Sequence, residues 1–135
     1  MEAFFPYSAT TGRITVRVNP RFLPDQSDAA AGRFVWSYHV RIENDDAAPV
    51  QLIARHWVIT DADGDTDEVR GEGVVGAQPV IVPAGSFDYV SGCPLPTARG
   101  SMRGSYAMLG SDGLFEVTIP RFQLESRHVR PDVRE

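Results

Sequence analysis

The sequence predicts an all-β chain, a β-sandwich of the immunoglobulin or fibronectin type III kind with about seven to eight antiparallel strands. Three observations lead there. Apolar residues alternate with period two along most of the chain, turn residues break it every eight to twelve positions or so, and no stretch carries a helical repeat. A small closed barrel is the alternative that the same pattern allows. The 135 residues are enough for one domain that buries its own core without a disulfide or metal staple. A single domain over 1–135 is therefore expected, with its core at about 11–126 and flexible ends at 1–10 and 127–135.

The first strand is read from Ile14, Val16 and Val18, which alternate with polar neighbours until Asn19 and Pro20 stop the run. In residues 34–44, Phe34, Trp36, Tyr38, Val40 and Ile42 share one face while Ser37, His39, Arg41 and Glu43 share the other, the mark of a half-buried strand. Asp45 and Asp46 turn the chain into residues 50–60, whose apolar residues on both faces predict a central strand. Residues 61–64 make a turn, Glu68 to Arg70 begins a short return strand, and a glycine-rich stretch follows at 71–76. Pro79 and Pro83 bracket Val80, Ile81 and Val82, which suits an edge strand or an irregular connection. Ser86 to Ser91 alternates again, residues 92–100 read as a loop, and residues 101–109 and 114–124 form a hairpin around Gly110, Ser111, Asp112 and Gly113. Residues 25–32, with three consecutive alanines, read as an exposed loop.

Composition narrows the function. The 13 basic residues are all Arg, against 18 acidic ones, for a net charge of −5. That balance disfavours a nucleic-acid partner. The absence of Lys excludes Schiff-base chemistry and the Lys-bearing phosphate loop. No apolar run approaches the roughly 20 residues that span a bilayer, so membrane insertion is not expected. Cys93 is the only cysteine, which suits a reducing cytoplasm, and no secretory leader is visible. No cofactor is implied.

The string GEGVVG places Gly71, Gly73 and Gly76 at the spacing of the dinucleotide-binding fingerprint. That fingerprint needs a helix after its glycines, and the β-branched Val74 and Val75 with Pro79 close behind oppose one. Two readings remain: a turn that needs glycine at positive φ, or a concave nest of backbone amides for phosphate or carboxylate. Arg55 would assist the second by clamping the anion. Strand alternation sends Arg55 and Trp57 to one face and His56 to the other. The tentative ligand set is therefore Gly71, Gly73, Val74, Val75, Gly76, Arg55 and His56. Asp61, Asp63, Asp65 and Glu72 match the carboxylate spacing of a twelve-residue calcium loop, but Thr66 stands where that loop needs glycine, and no helices flank it. A solvated turn is the plainer reading, with a weak hard-cation site as the other. Three scattered histidines and one cysteine make no zinc ligand set. Cys93 has no base beside it, and no catalytic residue is assigned.

Taken in order, the strings QLIARHWVITDADG, EVRGEGVVGAQPV, PAGSFDYVSG, GSMRGSYAM and IPRFQL, preceded by FLPDQS and FVWSYHVRIEN, resemble the ApaG family. The resemblance runs from about Ile14 to Leu124. It implies a fibronectin type III-like sandwich, an association with magnesium and cobalt tolerance or efflux, and proximity to diadenosine tetraphosphate metabolism. Related eukaryotic domains accompany F-box proteins, which implies recognition of a protein partner. The family's glycine motif, matched by Gly71, Gly73 and Gly76, implies a pyrophosphate-binding loop. Two functions are therefore expected to compete. One is a non-enzymatic module that binds a protein partner; the other is a sensor of pyrophosphate or a dinucleotide polyphosphate at residues 71–76.

Overall fold

The structure, a computed structural model, describes residues 4–126. Nine strands form: β1 (Tyr7–Thr11), β2 (Ile14–Phe22), β3 (Phe34–Asn44), β4 (Val50–Asp61), β5 (Thr66–Glu72), β6 (Val80–Ile81), β7 (Ser86–Leu95), β8 (Arg99–Gly110) and β9 (Gly113–Glu125). Two short 3₁₀ turns at Pro24–Gln26 and Ala29–Ala31 occupy the β2–β3 connection. All strand pairs are antiparallel, in two sheets of order β1-β2-β3-β7 and β5-β4-β8-β9, with β6 paired to the start of β4. This is the expected sandwich, and β4 is central as its two apolar faces require.

Alternation carries the core. Along β3, Trp36, Tyr38, Val40 and Ile42 are buried while Ser37, His39, Arg41 and Glu43 stay half-exposed. β2 contributes Ile14, Val16 and Val18, and β9 contributes Val117, Ile119, Phe122 and Leu124. Tyr38, Trp57 and Phe122 meet edge to face or tilted at 5.4–5.9 Å between ring centres, an arrangement that adds to their area burial. Asn44 is fully buried where the chain crosses between sheets, and its Nδ2 donates to Ala48 O and Ile81 O at 3.0 and 2.9 Å. Its amide is thereby matched rather than orphaned.

The structure corrects four sequence expectations. Asn19 and Pro20 do not stop the first long strand: β2 runs through them to Phe22, paired with β3 throughout. Residues 7–10, placed in the flexible N-terminal end by the sequence, form β1 together with Thr11 because they pair with β2 over their whole length; residues 1–3 and 127–135 lie outside the described residues. The return strand is not a short start at Glu68 to Arg70 but seven residues, β5. The loop expected over 92–100 is mostly strand, since β7 runs to Leu95 and β8 begins at Arg99. Pro94 is tolerated there because β7 is an edge strand whose free side needs no N–H.

The two long sides of the sandwich differ. On one, β1 and β2 pack on β9, tied across by Thr118 N to Thr11 Oγ1 at 3.0 Å and Gln123 N to Tyr7 Oη at 3.3 Å. On the other, β5 and β7 border an open groove. The β4–β5 register points Asp67, Val69 and Gly71 inward opposite Ile59, Trp57 and Arg55.

Candidate functional site

The groove takes its shape from an irregularity in β4. The β4–β8 register shifts between Leu52 and Ala54, a bulge that frees the Ile53 carbonyl. That oxygen accepts Gly73 N at 2.8 Å and Gln78 Nε2 at 2.9 Å, which fastens the glycine segment to β4. At the tip, Val74 N donates to Ala77 O at 2.8 Å and Ala77 N to Val74 O at 2.9 Å. Val75 and Gly76 between them have φ of +44° and +82°, the two left-handed residues of a type I′ hairpin turn. Such a turn favours Asn-Gly; a β-branched residue at Val75 is strained.

This geometry assigns the glycines different work. Gly73 has φ +64°, and a Cβ there would lie 2.2 Å from Ala77 O, so the turn admits no side chain. Gly76 has open space around it and needs only its positive φ. At Gly71 a Cβ would meet the Arg55 guanidinium at 2.8–2.9 Å, so the missing side chain is the space the guanidinium occupies. The Gly73 amide is spent on Ile53 O of β4 and those of Val74 and Ala77 on each other's carbonyls across the turn, so no continuous amide nest opens over 71–76. Val74 is buried in the core, whereas Val75 is 59% exposed at the tip.

Arg55 is the cation of the site, in a groove that Asp61, Asp65, Asp67 and Glu68 also line. Cross-strand register sets it opposite Gly71, and its Nη1 donates to Glu72 O at 3.0 Å and Gly73 O at 2.9 Å. It is half-buried, and among the described residues no carboxylate forms an ion pair with it. A half-buried guanidinium whose Nη1 is held by two carbonyls keeps its remaining donors for an anion. Around it lie Tyr38, Trp57 and Ser91, shared by two adjoining cavities of about 530 and 210 Å³. The larger reaches the 61–65 turn and is lined by Thr66 to Val69 of β5, and the smaller reaches Val75 and Gly76, with Arg55 between them.

The other candidate residues are dispersed. His56 points to the outer face, where Nε2 meets Glu68 Oε1 at 3.0 Å and Arg70 Nη2 meets the same oxygen at 3.2 Å. These partners hold the exposed Glu68 carboxyl below its ordinary value, His56 first. Asp61 caps its own turn, with Oδ1 accepting Asp63 N and Asp65 N at 2.9 and 3.1 Å. Glu72 sits at the far end of β5, roughly 20 Å of strand from Asp65. The structure therefore does not gather the calcium-loop carboxylates Asp61, Asp63, Asp65 and Glu72, and among the described residues no three of His, Cys, Asp and Glu are placed to hold a metal. Cys93 is buried on the groove wall, and burial followed by the charge of Asp67 pushes its thiol up to about 11. It stays protonated at neutral pH and is a poor nucleophile.

Sequence reasoning found Arg55 and the glycines but missed Tyr38, Ser91 and Val69 as groove residues. Tyr38 belongs to both the core and the groove: it is buried, with its phenol raised by desolvation against the opposing effects of Ser91 and Arg55. Its place on the apolar face of β3 was the available signal; the register that sets it across from Ser91 in β7 is visible only in the structure.

The ApaG domain model matches residues 24–110. Protein ApaG of Rhodospirillum centenum is 54% identical over 125 residues, covering 92% of this chain and 96% of that protein. Protein ApaG of Pseudomonas aeruginosa PAO1 is 54% identical over 118 residues, covering 87% and 94%. A crystal structure from Bordetella pertussis, described as an ApaA protein, superposes with a TM-score of 0.83 at 46% identity and covers 94% of this chain and 100% of that one. Sequence and fold agree over nearly the whole length, and the chain belongs to the ApaG family.

Proposed function

We propose that the chain is a non-enzymatic binding module whose recognition site is the groove between β5 and β7, and that its ligand is a protein partner presenting an acidic group to Arg55. The observation that carries the reading is Arg55 itself, half-buried, without a carboxylate partner among the described residues, and facing an open groove. Trp57, Ile59, Leu95 and Met102 line the same groove, which suits an apolar side chain next to the acidic one. The candidate catalytic groups are otherwise occupied: His56 with Glu68, His39 with Asp88 at 2.8 Å, and Cys93 as a protonated buried thiol. The carboxylates are spread over the 61–65 turn and β5, so a part in magnesium or cobalt tolerance is exercised through the partner. A cytoplasmic setting goes with a lone, buried thiol.

A second reading, pyrophosphate or a dinucleotide polyphosphate at the same Arg55, is favoured by the neighbouring Val75–Gly76 tip in the smaller cavity. One experiment separates the two. Backbone amide spectra are recorded with pyrophosphate and with diadenosine tetraphosphate, each with and without magnesium, and captures from cytoplasm are compared for wild type and Arg55→Gln. A partner retained by wild type and lost by Arg55→Gln, with still spectra, supports the protein reading. Saturating shifts at residues 55 and 71–76 move the assignment to the anion. Capture unchanged by Arg55→Gln, together with still spectra, removes the groove as the site.

A further inference from the structure

β5 is exposed along nearly its whole length and ends its sheet. Proteins guard such edges with charge, because a free row of N–H and C=O groups templates pairing. The charges here do not guard against every partner. The sequence TDEVRGE of β5 is complementary to itself in one antiparallel register, the one centred on Val69. In that register Glu68 of one copy faces Arg70 of the other on the outer face, twice. On the inner face Asp67 of one copy falls opposite Gly71 of the other, where the Arg55 guanidinium lies against the Gly71 backbone. Val69, 38% exposed, meets its own copy on the axis.

We infer that β5 is a self-complementary edge through which two copies of this chain pair, antiparallel about Val69. Four ion pairs of two kinds form across a two-fold axis, which is the condition for an isologous interface: each residue and its partner exchange places. Directly opposed charges of unlike sign stabilise a strand pair, and like charges would weaken it. The pairing joins the two β5-β4-β8-β9 sheets into one continuous sheet. It also supplies Arg55 with a carboxylate, which it lacks among the described residues. A dimer therefore occupies the groove's cation with Asp67 of the second copy, so that self-association and the binding of an acidic ligand at Arg55 exclude one another.

Sedimentation equilibrium of the full chain from micromolar to millimolar concentration tests this, with Glu68→Arg, Arg70→Glu and the double exchange E68R/R70E. Both side chains are exposed, and unchanged amide spectra at the core positions verify the fold. Wild type is expected to dimerise, each single reversal to weaken dimerisation roughly tenfold or more by setting like charges opposite one another, and the double exchange to restore it. Val69→Lys, which puts two cations on the axis, is expected to abolish it. A wild type that stays monomeric overturns the inference. So does a dimer indifferent to the single reversals, or a double exchange that restores nothing. None of these results bears on whether Arg55→Gln loses a partner, so the groove reading stands or falls separately.

Discussion

The two long sides of the sandwich are bordered by edge strands of unequal length and opposite purpose, β9 with 13 residues and β5 with seven. β9 turns Val117, Ile119, Phe122 and Leu124 inward, all of them buried, and closes on β1 and β2. β5 turns Asp67, Val69 and Gly71 inward, and none reaches the core. The closed side is held by apolar area, whereas the open side is held by the β4 ladder and the hydrogen bonds at its tip. The same sheet thus supplies stability at one edge and leaves a charged groove at the other, and substitutions should separate the two.

The largest effect is expected on the closed side. Phe122→Ala removes a fully buried ring packed on Tyr38, Trp57 and Tyr7 and should cost about 3–5 kcal/mol in denaturant unfolding. The counterpart Val69→Ala on the open side should change stability by no more than about 0.5 kcal/mol. Similar losses at the two positions would mean that β5 is part of the cooperative core after all.

Next come the glycines at the tip, where identical substitutions should differ. Gly73→Ala meets both a positive φ and the Ala77 carbonyl, and it should lose roughly 1–3 kcal/mol. Gly76→Ala meets only its φ and should lose about 1 kcal/mol. Gly71→Ala has no positive φ to satisfy; its Cβ displaces the Arg55 guanidinium. It should abolish binding at Arg55 while leaving the unfolding midpoint closer to wild type than Gly73→Ala does. Equal stability losses at all three positions would show that the segment acts only as a turn. A smaller effect of opposite sign is expected at the tip's strained residue: Val75→Gly relieves a β-branched side chain at φ +44° and should stabilise by about 1 kcal/mol.

These distinctions mark what the sequence could convey. The β3 strand was legible because Trp36, Tyr38, Val40 and Ile42 alternate strictly, and burial follows that alternation. β5 was legible only in part, since a strand open on both faces leaves no apolar period to read. β1 was missed for a related reason: Tyr7–Thr11 is fixed by pairing with β2 rather than by its own pattern. At the site, alternation alone separated Arg55 from His56. It did not reveal that Gly71 makes room for the guanidinium, because that follows from the register setting Arg55 against Gly71. Nor did glycine spacing reveal that the Gly73 amide is spent on the Ile53 carbonyl and the Val74 amide inside the hairpin.

The smallest effect compares the two edge strands that border the groove, β5 and β7, through a feature they share. On β7, Asp88 accepts from Arg41 Nε at 3.0 and 3.1 Å and pairs with His39; on β5, Glu68 is held by His56 and Arg70. Burial raises the Asp88 carboxyl, but the bonds from Arg41 and His39 outweigh it and leave the group below its ordinary value. A carboxyl depressed in the folded state binds a proton more weakly there than in the unfolded chain. Its contribution is complete above the ordinary Asp range and is lost as pH falls through the lowered folded value. Asp88 is about a third exposed, so solvent and salt screening limit that contribution to about 1 kcal/mol or less. Asp88→Asn should therefore unfold at a lower temperature than wild type near neutral pH, and the gap should close on acidification. Glu68→Gln, on a carboxyl in open water, should show a smaller gap that added salt removes first. A Glu68 gap equal to that of Asp88, or one that persists in high salt, would mean that β5 is less exposed in solution than its edge position implies, as it would be when paired with a second copy.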